Sequence, residues 1–240
     1  MTVRQSLVFL LIISQSFTGI AQVQDTLRYK KMIRRSILPS VLIGVGAVVN
    51  NSQFEMNLKT NLRDKVGDDF NYHIDDYLQY VPIVELYLAD MLGAKSKNHW
   101  FDQTKYLLLS NLFSSSITHG LKLITEKKRP NGSPHSFPSG HATLAFTNAS
   151  VLFNEFNQTS PLLAYSGYAF ATTTGVYRML NNKHWFSDVL VGAGIGILVT
   201  ELVYYFEPFK AFNPFKKSNS VSFIPKISEH EYGFYFSYKL

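Results

Sequence analysis

Hydrophobic and polar positions along this chain change over in long blocks, and the blocks have the length and spacing of helices. Residues 22 to 35 are polar and basic, with Lys30, Lys31, Arg34 and Arg35 ahead of an apolar stretch from Ile37 to Val49 that predicts a helix. A polar segment from Asn50 to Asp76 follows, then a mildly amphipathic one from Tyr77 to Leu92, interrupted by Glu85 and Asp90. Tyr106 to Leu121 carries no Asp, Glu, Lys or Arg and predicts a helix, with Pro130 beyond it to prevent continuation. A loop rich in Pro, Gly and Ser leads to further predicted helices over His141 to Phe156, Pro161 to about Leu180, and Trp185 to Phe206. After Pro208 the period changes. Val221 to Ile227 and Tyr232 to Tyr238 alternate and are rich in β-branched and aromatic residues, which predicts a short C-terminal β-hairpin.

The chain's 240 residues allow one well-buried domain. Arg4, the apolar run Leu7 to Ile13 and the small residues Gly19 and Ala21 predict a signal peptide over 1–21, an uncleaved first membrane helix being the alternative. The catalytic domain is then expected over 22–215, with a tail over 216–240. Lys and Arg number 23 against 17 Asp and Glu, a net charge of +6 that suits anionic partners without choosing among them. With no cysteine in the chain, disulfides and thiolate chemistry are excluded. No nucleic-acid motif accompanies the basic surplus.

Three polar clusters fall at predicted helix ends. Lys122, Arg129 and Pro130 put two cations where they can converge on one phosphoryl group, although such residues also simply complement a helix dipole. Pro138, Ser139, Gly140 and His141 open a helix whose free N–H groups form an anion cradle, with a histidine placed to protonate a departing alkoxide; Ser is equally a common N-cap. Arg178, His184 and Asp188 complete the set. His184 and Asp188 are four residues apart, so a carboxylate can fix one ring nitrogen and leave the other as a nucleophile, or form an ordinary polar pair.

Together these ten residues, in this order and spacing, resemble the type 2 phosphatidic acid phosphatase and vanadium haloperoxidase superfamily over roughly residues 100 to 207. Tyr177 departs from the small residue that family usually has before its third-motif arginine. The resemblance implies an all-α fold, an antiparallel helical bundle of about six helices with the active site at one end. It also implies catalysis by His184, His141 and Asp188, with His184 forming a phosphohistidine. Phosphate would be held by Lys122, Arg129, Ser139, Gly140 and Arg178, with no metal or other cofactor and with vanadate as a phosphate mimic. Both lipid phosphatases and soluble periplasmic acid phosphatases share the pattern. The expected partner is a phosphorylated lipid, such as phosphatidate, phosphatidylglycerol phosphate, undecaprenyl pyrophosphate or lipid A, or else a small phosphate monoester. The expected place is the cell membrane, with the site facing the periplasm; a soluble periplasmic enzyme, a haloperoxidase or a non-catalytic membrane protein are the alternatives. If the last helix lies in lipid, Glu201 must find a partner inside the bundle. Asp75, Asp76, Glu85 and Asp90 read as an acidic scatter that is solvated or caps helices.

Overall fold

A computed structural model describes the backbone of residues 3–215, 221–228 and 231–238 and the side chains of residues 26–215. The helices are α1 (Val3–Val49), α2 (Gln53–Val66), α3 (Asp75–Leu78), α4 (Val81–Met91), α5 (Trp100–Thr125), α6 (Gly140–Phe156), α7 (Pro161–Leu180) and α8 (Phe186–Phe206). The fold is thus all-α over its packed part, with eight helices among the described residues where the sequence led us to expect about six. The two additional ones, α2 and α3, are short elements laid across one end of the bundle. There Glu55 of α2 accepts a hydrogen bond from the Ser187 amide (2.9 Å), and Arg63 donates to the Leu180 carbonyl. The expected signal segment 1–21 and the tail beyond 215 lie outside the residues whose side chains are described; the backbone of Val221–Ser228 pairs antiparallel with that of Glu231–Tyr238.

Helices α6 and α8 form the centre of the bundle, α8 packing against α1, α5 and α6, and α6 against α4, α5 and α7. Helix α8 contains Gly192, Gly194 and Gly196 among Val, Ile and Ala, and most of it is buried. A Cβ at Gly192 would stand 2.6 Å from the Ser139 carbonyl oxygen, and one at Gly196 would stand 2.6 Å from that of Thr143. Glycine at this spacing therefore lets the backbones of α6 and α8 touch. Opposite them, α1 runs antiparallel to α8, with Gly46 against Val191 and Arg35 beside Glu201. Hydroxyl and amide side chains join α5 to α6: Thr118 to Thr143 (3.0 Å), Thr147 to Ser114 (3.0 Å) and Asn111 to Asn148 (2.9 Å). Tyr177 is half-buried on α7, its ring centroid 6.3 Å from that of Phe70 in the α2–α3 connection.

Glu201 is buried and held by Arg35 (3.2 Å) and the Asn154 amide (2.9 Å), the interior partners such a carboxyl requires. Of the described residues, Thr26–Val49 and Phe186–Phe206 form helices long and apolar enough to cross a membrane. The outer faces carry exposed Ile37, Leu38, Val41 and Val48 on α1, Val84 and Leu88 on α4, Leu108, Leu112 and Ile117 on α5, and Leu162 and Tyr165 on α7.

Candidate active site

The ends of α5, α7 and α3 and the starts of α6 and α8 meet at the end capped by α2. His184 lies in the turn between α7 and α8, 3% exposed, with its amide bonded to the Arg178 carbonyl (3.2 Å). Its Nδ1 faces Asp188 Oδ2 at 3.3 Å, the i, i+4 relation expected, and Nε2 has no partner among the described residues. Burial, outweighing the attraction of Asp188, pushes the His184 pKa down to about 4, so the ring is neutral at pH 7 and its free nitrogen keeps a lone pair.

Asp188 is itself heavily supported. Oδ2 accepts from the Ser136 hydroxyl and from the Trp185 amide (2.9 Å), and Oδ1 accepts from Lys127 Nζ (3.1 Å). Lys127 also reaches Glu55 Oε2 (3.1 Å) and Ser187 Oγ (2.9 Å). This chain of Glu55, Lys127, Asp188 and His184 fixes the imidazole. Lys127, Glu55 and Ser136 were absent from the expected set, because neither their burial nor their partners can be read from local spacing.

The three expected cations come together around His184. Burial and then Arg129 lower the Lys122 pKa to about 8; burial and then Arg178 lower that of Arg129. Both Arg178 and Lys122 also repel a proton from His184. Mutual repulsion of this kind is relieved by an anion among the cations. Two buried guanidinium atoms, Arg129 Nε and Arg178 Nε, have no hydrogen-bond partner among the described residues, as donors awaiting an oxyanion would. Lys122 Nζ meanwhile rests on the carbonyls of His135 (2.8 Å) and Ser136 (3.2 Å). Ser139 is buried and caps α6, its Oγ accepting from the Ala142 amide (3.3 Å), while its own amide donates to the Asp188 carbonyl (2.9 Å). Gly140 begins α6 beside Lys122, whose Cε is 4.0 Å from where a Cβ would be.

The acidic pair is where the sequence expectation needs correction. Asp75 is not solvated: it is 1% exposed and accepts from Arg178 (2.7 Å) and from the Asn181 amide (2.9 Å). Asp76 Oδ1 lies 2.8 Å from His141 Nε2 and 3.7 Å from Arg178. Burial would raise the Asp76 carboxyl, but its hydrogen bond with His141 prevails and holds it below its usual value. His141 in turn is lowered by burial and Arg178 against the opposing pull of Asp76. One potential ligand atom from each of Asp75, Asp76 and His141 lies within 4.8 Å of the other two, a geometry able to receive a cation, although Asp75 is already committed to Arg178.

A cavity of about 480 Å³ opens here, lined by Asp76, Gln79, Tyr80, Ser115, Thr118, His119, Lys122, Gly140 and His141. It descends between the α3–α4 turn, α5 and α6, and His119 of α5 borders it.

Residues 103–211 match the family described as the PAP2 superfamily. A lipid A 1-phosphatase of Porphyromonas gingivalis is 32% identical over 166 residues, a match covering 66% of this chain and 37% of that protein. The chain thus spans well under half of that relative's length. The solved structure of a transmembrane PAP2-type phosphatidylglycerolphosphate phosphatase from Bacillus subtilis shares the fold. Its TM-score is 0.52 at 19% identity, over 75% of this chain and 99% of that one.

Proposed function

We propose that this chain, which belongs to the PAP2 superfamily, is a membrane-embedded phosphatase that hydrolyses a lipid phosphate monoester through a phosphohistidine. The observation that carries the reading is a neutral, buried His184, its free nitrogen beside three mutually repelling cations whose buried guanidinium Nε atoms lack partners. His184 Nε2 attacks phosphorus as the bond to the lipid oxygen breaks, and His141 gives that oxygen its proton. Water then attacks phosphorus, His141 takes the water's proton, and the P–N bond breaks to release phosphate. Asp188 bears the imidazolium charge that develops on His184. Arg178, Arg129, Lys122 and the amides at the start of α6 hold the equatorial oxygens, where positioning and charge supply most of the acceleration.

The apolar belt on α1, α4, α5 and α7 supports a lipid environment over a soluble one. The hydroxyl-lined cavity suits a headgroup rich in hydroxyls, and lipid A is the first substrate to try, given the relative described above. The test is phosphate release by the purified protein from lipid A, phosphatidylglycerol phosphate and p-nitrophenyl phosphate, with and without EDTA. Turnover that persists in EDTA and vanishes in His184→Ala is expected. Loss of activity on chelation, restored by a divalent metal, would overturn the mechanism; preference for the water-soluble ester would overturn the lipid assignment.

A further inference from the structure

The end of the bundle opposite the catalytic centre has its own cationic cavity. About 220 Å³ in volume, it is lined by Arg28, Lys31 and Arg35 of α1, Lys97 of the α4–α5 connection, and Glu201 and Glu207 at the end of α8. Two of these cations are neutralised, Arg28 by Glu207 (3.1 Å) and Arg35 by Glu201 (3.2 Å). Lys31, Lys97 and the adjacent Arg34 make no hydrogen bond through their side chains and no ion pair among the described residues; Lys97 Nζ only overlies the Tyr204 ring at 5.1 Å. Positive charge therefore remains in excess at this end.

Arg35 and Glu201 also form the mouth of a second space, an almost wholly apolar groove of about 650 Å³. It runs between α1 and α7 over α6 and α8, past Leu38, Leu42, Phe146, Tyr168, Val176 and Leu190. From Glu201 to Phe186 along α8 it is about 22 Å long at ~1.5 Å per residue, more than the ~15 Å of one leaflet's hydrocarbon. One stripe of α1 serves both spaces: Lys31 and Arg35, then Leu38 and Leu42, follow at helical spacing on a single face. A basic head joined to an oily channel is complementary to a molecule with an anionic head and a long hydrocarbon tail. We propose that this composite site holds an anionic phospholipid of the leaflet opposite the active site, its phosphodiester among Lys31, Arg34 and Lys97 and one acyl chain in the groove. The inference rests on the membrane-embedded reading but not on the phosphohistidine mechanism, since a phosphodiester offers the catalytic centre no monoester.

The full-length protein, purified in detergent and stripped of lipid, would be titrated with phosphatidylglycerol or phosphatidylcholine in mixed micelles. Thermal midpoint and lipid retention by native mass spectrometry are the readouts. Phosphatidylglycerol is expected to raise the midpoint and to be retained one per chain, phosphatidylcholine to do neither. Lys31→Gln/Lys97→Gln should weaken phosphatidylglycerol binding at least tenfold with kcat on p-nitrophenyl phosphate unchanged. Should that pair fail to fold, Val176→Trp, which fills the groove at an exposed position and leaves the cations in place, should weaken retention to the same degree. Unaltered affinity in the folded variant overturns the proposal, as does equal stabilisation by phosphatidylcholine or by inorganic phosphate alone. His184→Ala should bind phosphatidylglycerol normally, so a failure of the catalytic reading leaves this one separately readable.

Discussion

Asp76 touches His141, whose protonation governs turnover, at 2.8 Å and approaches the phosphate-holding Arg178 at 3.7 Å. If His141 is the acid that protonates the leaving oxygen, it must carry a proton, so its pKa sets the alkaline limb of the rate profile. Burial and Arg178 push that pKa down, and Asp76 opposes them. Asp76→Asn removes the opposition. The alkaline limb of kcat/KM should then move to lower pH with little change in thermal midpoint, and a limb that stays put would dissociate Asp76 from the acid. The sign for His184 is different. Its folded pKa, about 4, lies below the ordinary 6.5, so between those values the unfolded chain binds a proton the folded one refuses, and stability falls as pH drops through that window. Lys127 acts by charge in a dry place. With its side chain 8% exposed between Glu55 and Asp188, Lys127→Met leaves two buried carboxylates facing each other, at a cost of about 3–5 kcal/mol. Lys127→Met/Glu55→Gln should recover part of it in a denaturation series, whereas equal losses in both would show that packing, not charge, holds this corner.

At the scale of elements, the catalytic end is assembled by the contact of α6 with α8. Because the Ser139 carbonyl would meet a Gly192 Cβ at 2.6 Å, Gly192→Ala must displace the start of α6, which carries Gly140 and His141. A stability loss of about 2 kcal/mol, together with a fall in kcat, is expected. Gly120→Ala on α5, where nothing lies within 4 Å, is the comparison and should gain about 0.5–1 kcal/mol, so equal effects at both positions would remove the close-approach argument. Elements of this kind were legible where charge-free blocks were long: α6, α7 and α8 begin and end within about a residue of the expected bounds. Helix α2 was read as a polar segment. Its signal was nonetheless present: Phe54, Leu58, Leu62 and Val66 recur every fourth residue, and Ser52 caps the Glu55 amide (3.2 Å). The acidic residues were harder, because Asp75 is 103 positions from Arg178 and Glu55 is 72 from Lys127. Spacing reveals partners only within one element, so the His184–Asp188 pair was readable while Asp75, Asp76 and Glu55 became visible as partners only in the assembled fold.

For the whole molecule, the direction of α1 decides how charge is distributed across a membrane. Its residues 37–49 lead into the catalytic end, where Gly46 meets Val191, so Arg28 to Arg35 sit at the far end with Glu201 and Glu207. The packed helix thus puts this basic group at the end of the bundle opposite the catalytic residues. Lys97, Lys105 and Lys210 join it there, Lys105 donating to the Phe209 and Phe212 carbonyls beyond α8 (2.9 and 3.1 Å). We propose that these cations keep that end on the cytoplasmic side, with the cavity lined by His141 facing outward. The absence of cysteine makes the orientation measurable with single replacements. Asn131→Cys, on the exposed loop beside the catalytic end, should react with a membrane-impermeant maleimide on intact spheroplasts. Lys210→Cys, on the exposed turn after α8, should react only after permeabilisation. The reverse pattern would turn the active site to the cytoplasm, and labelling of both positions without permeabilisation would mean that the bundle does not separate two aqueous compartments at all.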